Sequence, residues 1–200
     1  MAINLANNNS LANITALPSS ISGGAMTLLS TQTASGSANL SFTSGIDSTY
    51  DEYVFKYYNI HPATDNADFE FNMTIDGTNW NVTKTTTTFY SYHMEDDSGS
   101  GLTYEAGYDL AQGTGFQYLA ADIGNGSDES ASGEFSIYSP SSTTFVKHFL
   151  HSGNRYVGSN ISANDFVAGY GNTTSAVTGI QFKMSTGNID SGVIKLYGIS

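Results

Sequence analysis

The stretch Tyr50-Asp-Glu-Tyr-Val-Phe-Lys-Tyr-Tyr-Asn-Ile-His-Pro62 constrains the fold more than any other. It is the longest run dense in aromatic and β-branched residues. It holds no glycine, and its one proline stands at the end. That is the composition of a β-strand. Tyr53, Phe55 and Tyr57 alternate with Val54, Lys56 and Tyr58, so both faces carry large apolar groups. A strand with one wet face would show a polar residue at every second position. This run therefore reads as a central strand, covered on both sides for part of its length. Pro62 cannot donate to a ladder and marks its end.

The remaining segments read as strands that assemble around it. Residues 26–33 and 37–43 flank Ala34-Ser35-Gly36, a hairpin-like turn. Residues 68–76 alternate: Phe69, Phe71, Met73 and Ile75 point to a core, and Asp68, Glu70, Asn72, Thr74 and Asp76 point to water. Asp76-Gly77 is a turn signal. The threonines at 85–88 run on into a strand through His93. Shorter strands follow at 134–138, 143–150, 165–170, 178–184 and 192–199, with Ser139-Pro140-Ser141-Ser142 as a tight connection. Residues 94–131 are rich in glycine and acid. They read as a long irregular stretch in which only Phe116–Ile123 could form a helical turn or two.

Nine or ten short strands with almost no helix predict an all-β fold, a jelly-roll-like two-sheet antiparallel β-sandwich spanning residues 25–200. Phe55, Phe71, Phe135, Phe145, Phe182 and Leu196 are its expected core. Residues 1–24 differ: they carry no charged side chain, and Leu5, Leu11, Ile14, Leu17 and Ile21 stand isolated among Asn and Ser. A solvated tail is the plainer account. A tail of that kind usually carries charge, so the segment reads instead as an extended N-terminal arm that buries these residues on a neighbouring subunit.

Eighteen acids against six bases give a net charge of −12. Phosphate binding needs clustered Lys and Arg, and here the six bases are scattered; nucleic acid and anionic membrane are therefore not expected partners. No cysteine is present, so neither a disulfide framework nor a thiolate metal site is available. Residues 1–25 lack the basic start and compact apolar run of a secretory signal.

The chemistry-bearing residues are few. His148 and His151 are three apart in a strand-like run and fall on opposite faces, so they do not form a helix-borne metal pair; all four histidines read as structural. Asp96-Asp97, Asp122 and Asp128-Glu129 sit in loops that could offer oxygens to calcium, but the spacing of a calcium loop is missing and solvated acids are the plainer account. No nucleophile elbow, phosphate loop or zinc motif is present, so neither an enzyme nor a cofactor is expected. Trp80, with Tyr90, Tyr92 or Tyr104, could stack on sugar rings as a glycan platform. The plainer account has Trp80 packing on the sheet rim.

Several phrases resemble a family. Ser30-Thr-Gln-Thr-Ala34 leads into Ser41-Phe-Thr-Ser-Gly-Ile-Asp-Ser-Thr-Tyr-Asp-Glu-Tyr53 and Ile60-His-Pro-Ala-Thr-Asp65. Later come Pro140-Ser-Ser-Thr-Thr-Phe-Val-Lys-His148, Gly169-Tyr-Gly-Asn-Thr-Thr-Ser-Ala176, and the ending from Ile180 to Gly198. Over about residues 27–199 the chain resembles small virion structural proteins of tailed phages that infect marine bacteria. The resemblance implies a particle-surface protein with no catalytic site. Head decoration as a homo-oligomer is expected, with a homotrimer as the working order and the major capsid protein as partner. A tail-borne, carbohydrate-binding adhesion module for host glycans is the alternative.

Overall fold

A computed structural model describes residues 26–200. The arm residues Leu5, Leu11, Ile14, Leu17 and Ile21 lie outside the described residues. The described chain is all-β, with thirteen strands and one 3₁₀ turn at Ala106–Tyr108. Every strand pair is antiparallel.

The strands form a long ladder and a short one. The long ladder runs β1 (Thr27–Ser37), β13 (Ile189–Ile199), β3 (Glu52–Pro62), β9 (Ala131–Tyr138), β10 (Lys147–Val157), β11 (Ile161–Gly171) and β5 (Lys84–Met94). Two short strands, β6 (Ser100–Tyr104) and β7 (Ala111–Gly113), pair with the far side of β5. The short ladder runs β8 (Gln117–Ile123), β4 (Ala67–Thr74), β12 (Gly179–Met184) and β2 (Leu40–Phe42). The ladders meet at one residue pair, Val157 with Ile123. At the opposite margin Gln32 Nε2 donates to the Ser41 carbonyl at 2.7 Å. The sheet is thereby nearly closed into a barrel.

The central strand is where the sequence puts it, with β13 on one side and β9 on the other. Tyr53, Phe55 and Tyr57 point inward and are buried. The alternation then breaks at a bulge between Tyr57 and Ile60, where Asn59 adopts φ 49°. Asn tolerates that left-handed conformation better than most residues, and the extra residue returns Ile60 to the core. Only Val54 is buried on the other face; Tyr58 is exposed.

Rings from both ladders fill the interior. Phe71 of β4 lies 4.4 Å from Phe135 of β9, and Phe55 of β3 lies 5.3 Å from Phe182 of β12, centroid to centroid. Phe42, Phe69 and Phe149 complete the layer. Tilted and edge-on contacts dominate, the geometry that ring quadrupoles favour. Phe55, Phe71, Phe135, Phe182 and Leu196 are fully buried, as the alternation predicts.

Phe145 does not join them; it is 71% exposed. β10 starts two residues later, and the buried position at its start goes to Lys147. The Lys147 ammonium donates to the carbonyls of Phe145 at 2.6 Å and Thr173 at 3.2 Å, which satisfies it inside. Ile75 is also exposed rather than inward, because β4 stops at Thr74. There the Asp76 carboxylate accepts from the amides of Thr78 and Asn79 and turns the chain. Glu70, Asn72 and Thr74, expected in water, are buried. Asn72 Nδ2 donates to the carbonyls of Trp80 and Thr114, so the segments after β4 and β7 fold over the outer face of the short ladder. The Lys84 ammonium, fully buried, donates to Asn72 Oδ1 at 2.6 Å; burial pulls its pKa down to about 7.

Two further expectations are corrected. No hairpin turn occurs at 34–36: β1 runs through to Ser37 on β13, while β2 belongs to the other ladder. Phe116–Ile123 makes no helical turn. Residues 117–123 form β8, held by Gln117, whose side chain accepts from Thr86 and donates to the Tyr108 carbonyl. The 94–131 stretch thus contains three strands.

Phe182→Ala should cost about 3–5 kcal/mol in urea unfolding, whereas Phe145→Ala should stay within about 0.5 kcal/mol. Comparable losses for the two would contradict the ring layer described above. A second expectation concerns His151, buried with Nε2 2.8 Å from the Tyr57 hydroxyl; burial pulls its pKa down to about 3. The unfolded chain takes up this proton near 6.5 and the folded one only near 3. Stability is therefore complete above the unfolded value and falls as pH drops below it, by up to about 1.4 kcal/mol per pH unit. Urea midpoints at pH 7 and pH 5 should show this drop in the native protein and a smaller one in His151→Gln. Equal drops would place the titrating group elsewhere.

Candidate functional site

The long ladder is wider than the short one. β8 is the last strand of the short ladder, and the inner face of β10, β11 and β5 continues past it. Register decides what that uncovered face displays. One inward row runs Gly153, Asp165, Tyr90 and Thr103; the next runs Arg155, Ala163, Tyr92 and Gly101. Side chains of adjacent strands in one row are neighbours. A tyrosine pair, an arginine and a carboxylate thus come together.

The tyrosines and the arginine line a cleft of about 350 Å³ between this face and the β8 edge. Its floor is a buried ion pair, with Arg155 Nε 2.7 Å from Asp165 Oδ2 and each side chain 4% exposed or less. The guanidinium lies 5.5 Å from the centroid of the Tyr90 ring. Burial pushes the Asp165 carboxyl up, against the pull of Arg155. Tyr90 and Tyr92 are half-buried, with ring centroids 6.1 Å apart. Gly101, opposite Tyr92, has room for no more: an added Cβ would meet the ring at 3.0 Å.

Asp122 forms the opposite rim. It sits near the end of β8 in the left-handed region, φ 49°, and its amide donates to Asp68 Oδ1 at 2.8 Å. The Tyr108 hydroxyl donates to Asp122 Oδ2 at 3.4 Å. Burial and then Asp122 hold the Tyr108 hydroxyl above the usual phenol range.

Of the expected glycan platform, Tyr90 and Tyr92 are brought together and Trp80 is not. Trp80 lies half-buried on the short ladder, its ring beside Gly179 and its carbonyl bound by Asn72. Tyr104 is exposed on the other face of β6, with its hydroxyl bonded to Asp109. The candidate calcium acids are dispersed. Asp96 and Asp97 cap an exposed turn, with Asp97 3.3 Å from His93, and the Glu129 carboxylate turns back onto the Gly126 amide. Among the described residues no three His, Asp or Glu side chains gather as a metal site.

A larger depression, about 510 Å³, lies at one end of the molecule. It includes His61, Asp128, Glu129 and Asp190, with His61 Nδ1 3.5 Å from Asp190. Its wall holds no tyrosine, phenylalanine or tryptophan, whereas the smaller cleft sets two tyrosine rings beside a buried arginine, the features of a ligand site.

Arg155 and Asp165 were not expected in a site, and Asp122 was expected only as a candidate calcium acid. A signal for the first two existed. Arg155 is the only arginine in the chain, and Gly158-Ser159-Asn160 is a turn that folds β11 back on β10, bringing Asp165 one row from Arg155. Nothing local marks Asp122 as a rim residue, because its position depends on the packing of β8 against β4. Comparison with known proteins finds no matching family model, no matching curated protein and no matching solved structure.

Breaking a buried ion pair leaves a lone charge without water. Arg155→Met should therefore cost about 3–5 kcal/mol in urea unfolding, and Arg155→Met with Asp165→Leu should recover most of it. Equal losses in the single and double variants would assign the cost to packing instead.

Proposed function

We propose that this chain is a virion structural protein of a tailed phage, displayed on the particle surface as head decoration. Its body is a jelly-roll sandwich and residues 1–24 are the arm that holds it. The fold reading is supported by three crossings, β3 to β4, β8 to β9 and β12 to β13, each passing between the ladders side by side. The loops of these crossings touch at one end: the Ala63 amide donates to the Asn188 carbonyl at 3.0 Å, and the Asn125 amide to Asp65 Oδ1 at 3.2 Å.

The observation that carries the assembly reading is the outer face of the long ladder. Tyr104, Phe89 and Phe166 stand in one row across β6, β5 and β11, with Phe89 stacked on Phe166 at 4.9 Å. Leu150 on β10 extends the band and is 51% exposed. Contiguous apolar surface of this kind marks contact sites. Partners are other copies, taken as a homotrimer, and the major capsid protein; the charge of −12 disfavours nucleic acid and membrane. The role is binding, not catalysis, and uses no cofactor.

A second reading, adhesion to host-surface glycans, is favoured by the Tyr90–Tyr92–Arg155 cleft, and both can hold for one particle-surface protein. The assembly reading has a direct test. Removing residues 1–24 should leave the body folded, with the same urea midpoint, and abolish co-sedimentation with particles. If the truncated protein sediments with particles as fully as the native chain, the attachment site is the body and not the arm.

A further inference from the structure

The cleft holds a group whose hydrogen-bonding capacity is only partly used. Arg155 is 4% exposed, and its Nε is committed to Asp165. A guanidinium carries five N–H donors. The Nη hydrogens make no hydrogen bond to any described residue, and the Nη atoms are not among the sealed, unsatisfied polar atoms of the interior. They open into the cleft that Arg155 lines. The ion pair fixes the side chain, so little freedom is left to lose on binding.

The opposite rim presents an acceptor, the Asp122 carboxylate, and the walls present two half-buried phenol rings. A donor and an acceptor facing one space, beside flat apolar surface, match a molecule with hydroxyls on a ring. A hydroxyl can accept from one partner and donate to another. Charge narrows the class. Asp165 already neutralises Arg155, and Asp122 and Asp68 add two further carboxylates nearby. A ligand with its own carboxylate would enter a net negative site on a protein of net charge −12.

We propose that this cleft binds a neutral pyranose, with one hydroxyl accepting from the Arg155 Nη groups, a neighbouring hydroxyl donating to Asp122, and the sugar ring against Tyr90 and Tyr92. The proposal rests on the adhesion reading and adds to it the ligand class and the polarity of each contact. It requires no metal.

The test is ligand-observed NMR and calorimetry on the full chain. The probes are the methyl glycosides of glucose, galactose and mannose, with glucuronic and galacturonic acid as charged counterparts. At least one neutral glycoside should bind, without calcium, and the uronic acids should bind at least tenfold more weakly. Tyr92→Ala removes a wall. Asp122→Asn keeps the shape and tolerates the left-handed backbone, but gives up the anionic acceptor. Each should weaken the neutral sugar by about tenfold or more, and Asp122→Asn should narrow the gap between neutral and acidic sugars. Tighter binding of a uronic acid would overturn the neutral-sugar assignment while leaving adhesion standing. Neutral binding that neither variant changes would place the sugar elsewhere and overturn the site. No binding by any probe would overturn the adhesion reading and this proposal together.

Discussion

The contact on which the structure depends is the ring layer between the two ladders. Phe55, Phe135 and Phe149 come from the long ladder, and Phe42, Phe69, Phe71 and Phe182 from the short one. The backbone pairing between the ladders is slight, one residue pair at Val157, and the side-chain bonds of Gln32 to Ser41, Lys84 to Asn72 and Thr86 to Gln117 add to it. Hydrogen bonds along each ladder set its register but cannot hold the ladders face to face. The rings can, because each removes a large apolar area from water and their mutual geometry is specific. With no disulfide and few buried ion pairs, this layer is the main force that fixes one ladder over the other.

The layer is narrower than the long ladder, and the site follows from the difference. Past β8 the inner face of β10, β11 and β5 has no opposing strand. An apolar inner face left open there would expose rings to water without benefit. The chemistry changes along the inward rows instead, from Phe149, Gly169 and Thr86, then His151, Val167 and Thr88, to Asp165, Arg155, Tyr90 and Tyr92. These residues remain buried or half-buried yet bring polar atoms to the cleft. The same strands thus carry core at one part of their inner face and a polar, aromatic cleft at the other, a division set by how far the short ladder extends.

That explains which parts of the architecture can be read from residue order. Strand type is local: alternation around Phe55, Phe71 and Phe182 states which side is inward, and the structure agrees. Strand limits are less local. Phe145 fits the alternation of β10 but precedes its first paired residue, and Ile75 fits that of β4 but follows its last. The burial of Asn72 depends on segments returning from 80 and 114, and Thr74 is met by Thr178, none of which a window around β4 contains. Gln117–Ile123 holds Leu119, Ala120 and Ala121, residues that favour helix, and becomes strand because β4 offers it a ladder. Tyr90 and Tyr92 were legible as neighbours because they share one face of one strand. Trp80 packs on the short ladder, because joining them would need a contact across ladders.

Tyr57 shows how closely core and cleft are joined. Its ring packs on Phe69 within the layer and lies nearly parallel to the His151 ring at 5.9 Å. Its hydroxyl reaches over the paired glycines Gly133 and Gly153, where any Cβ would collide with it; at Gly133 the approach would be 2.6 Å. Small residues there are a steric requirement, not a turn signal, since both lie within straight strands. Gly153 is the row partner of Asp165, the residue that anchors Arg155. Burial, and after it the Asp165 charge, hold the Tyr57 hydroxyl above the usual phenol range, so it remains neutral beside His151. A side chain at either glycine would push the Tyr57 ring from the layer or press on β10 and β11. The cleft is therefore held in shape from behind by the core, and its geometry is a consequence of the ring packing.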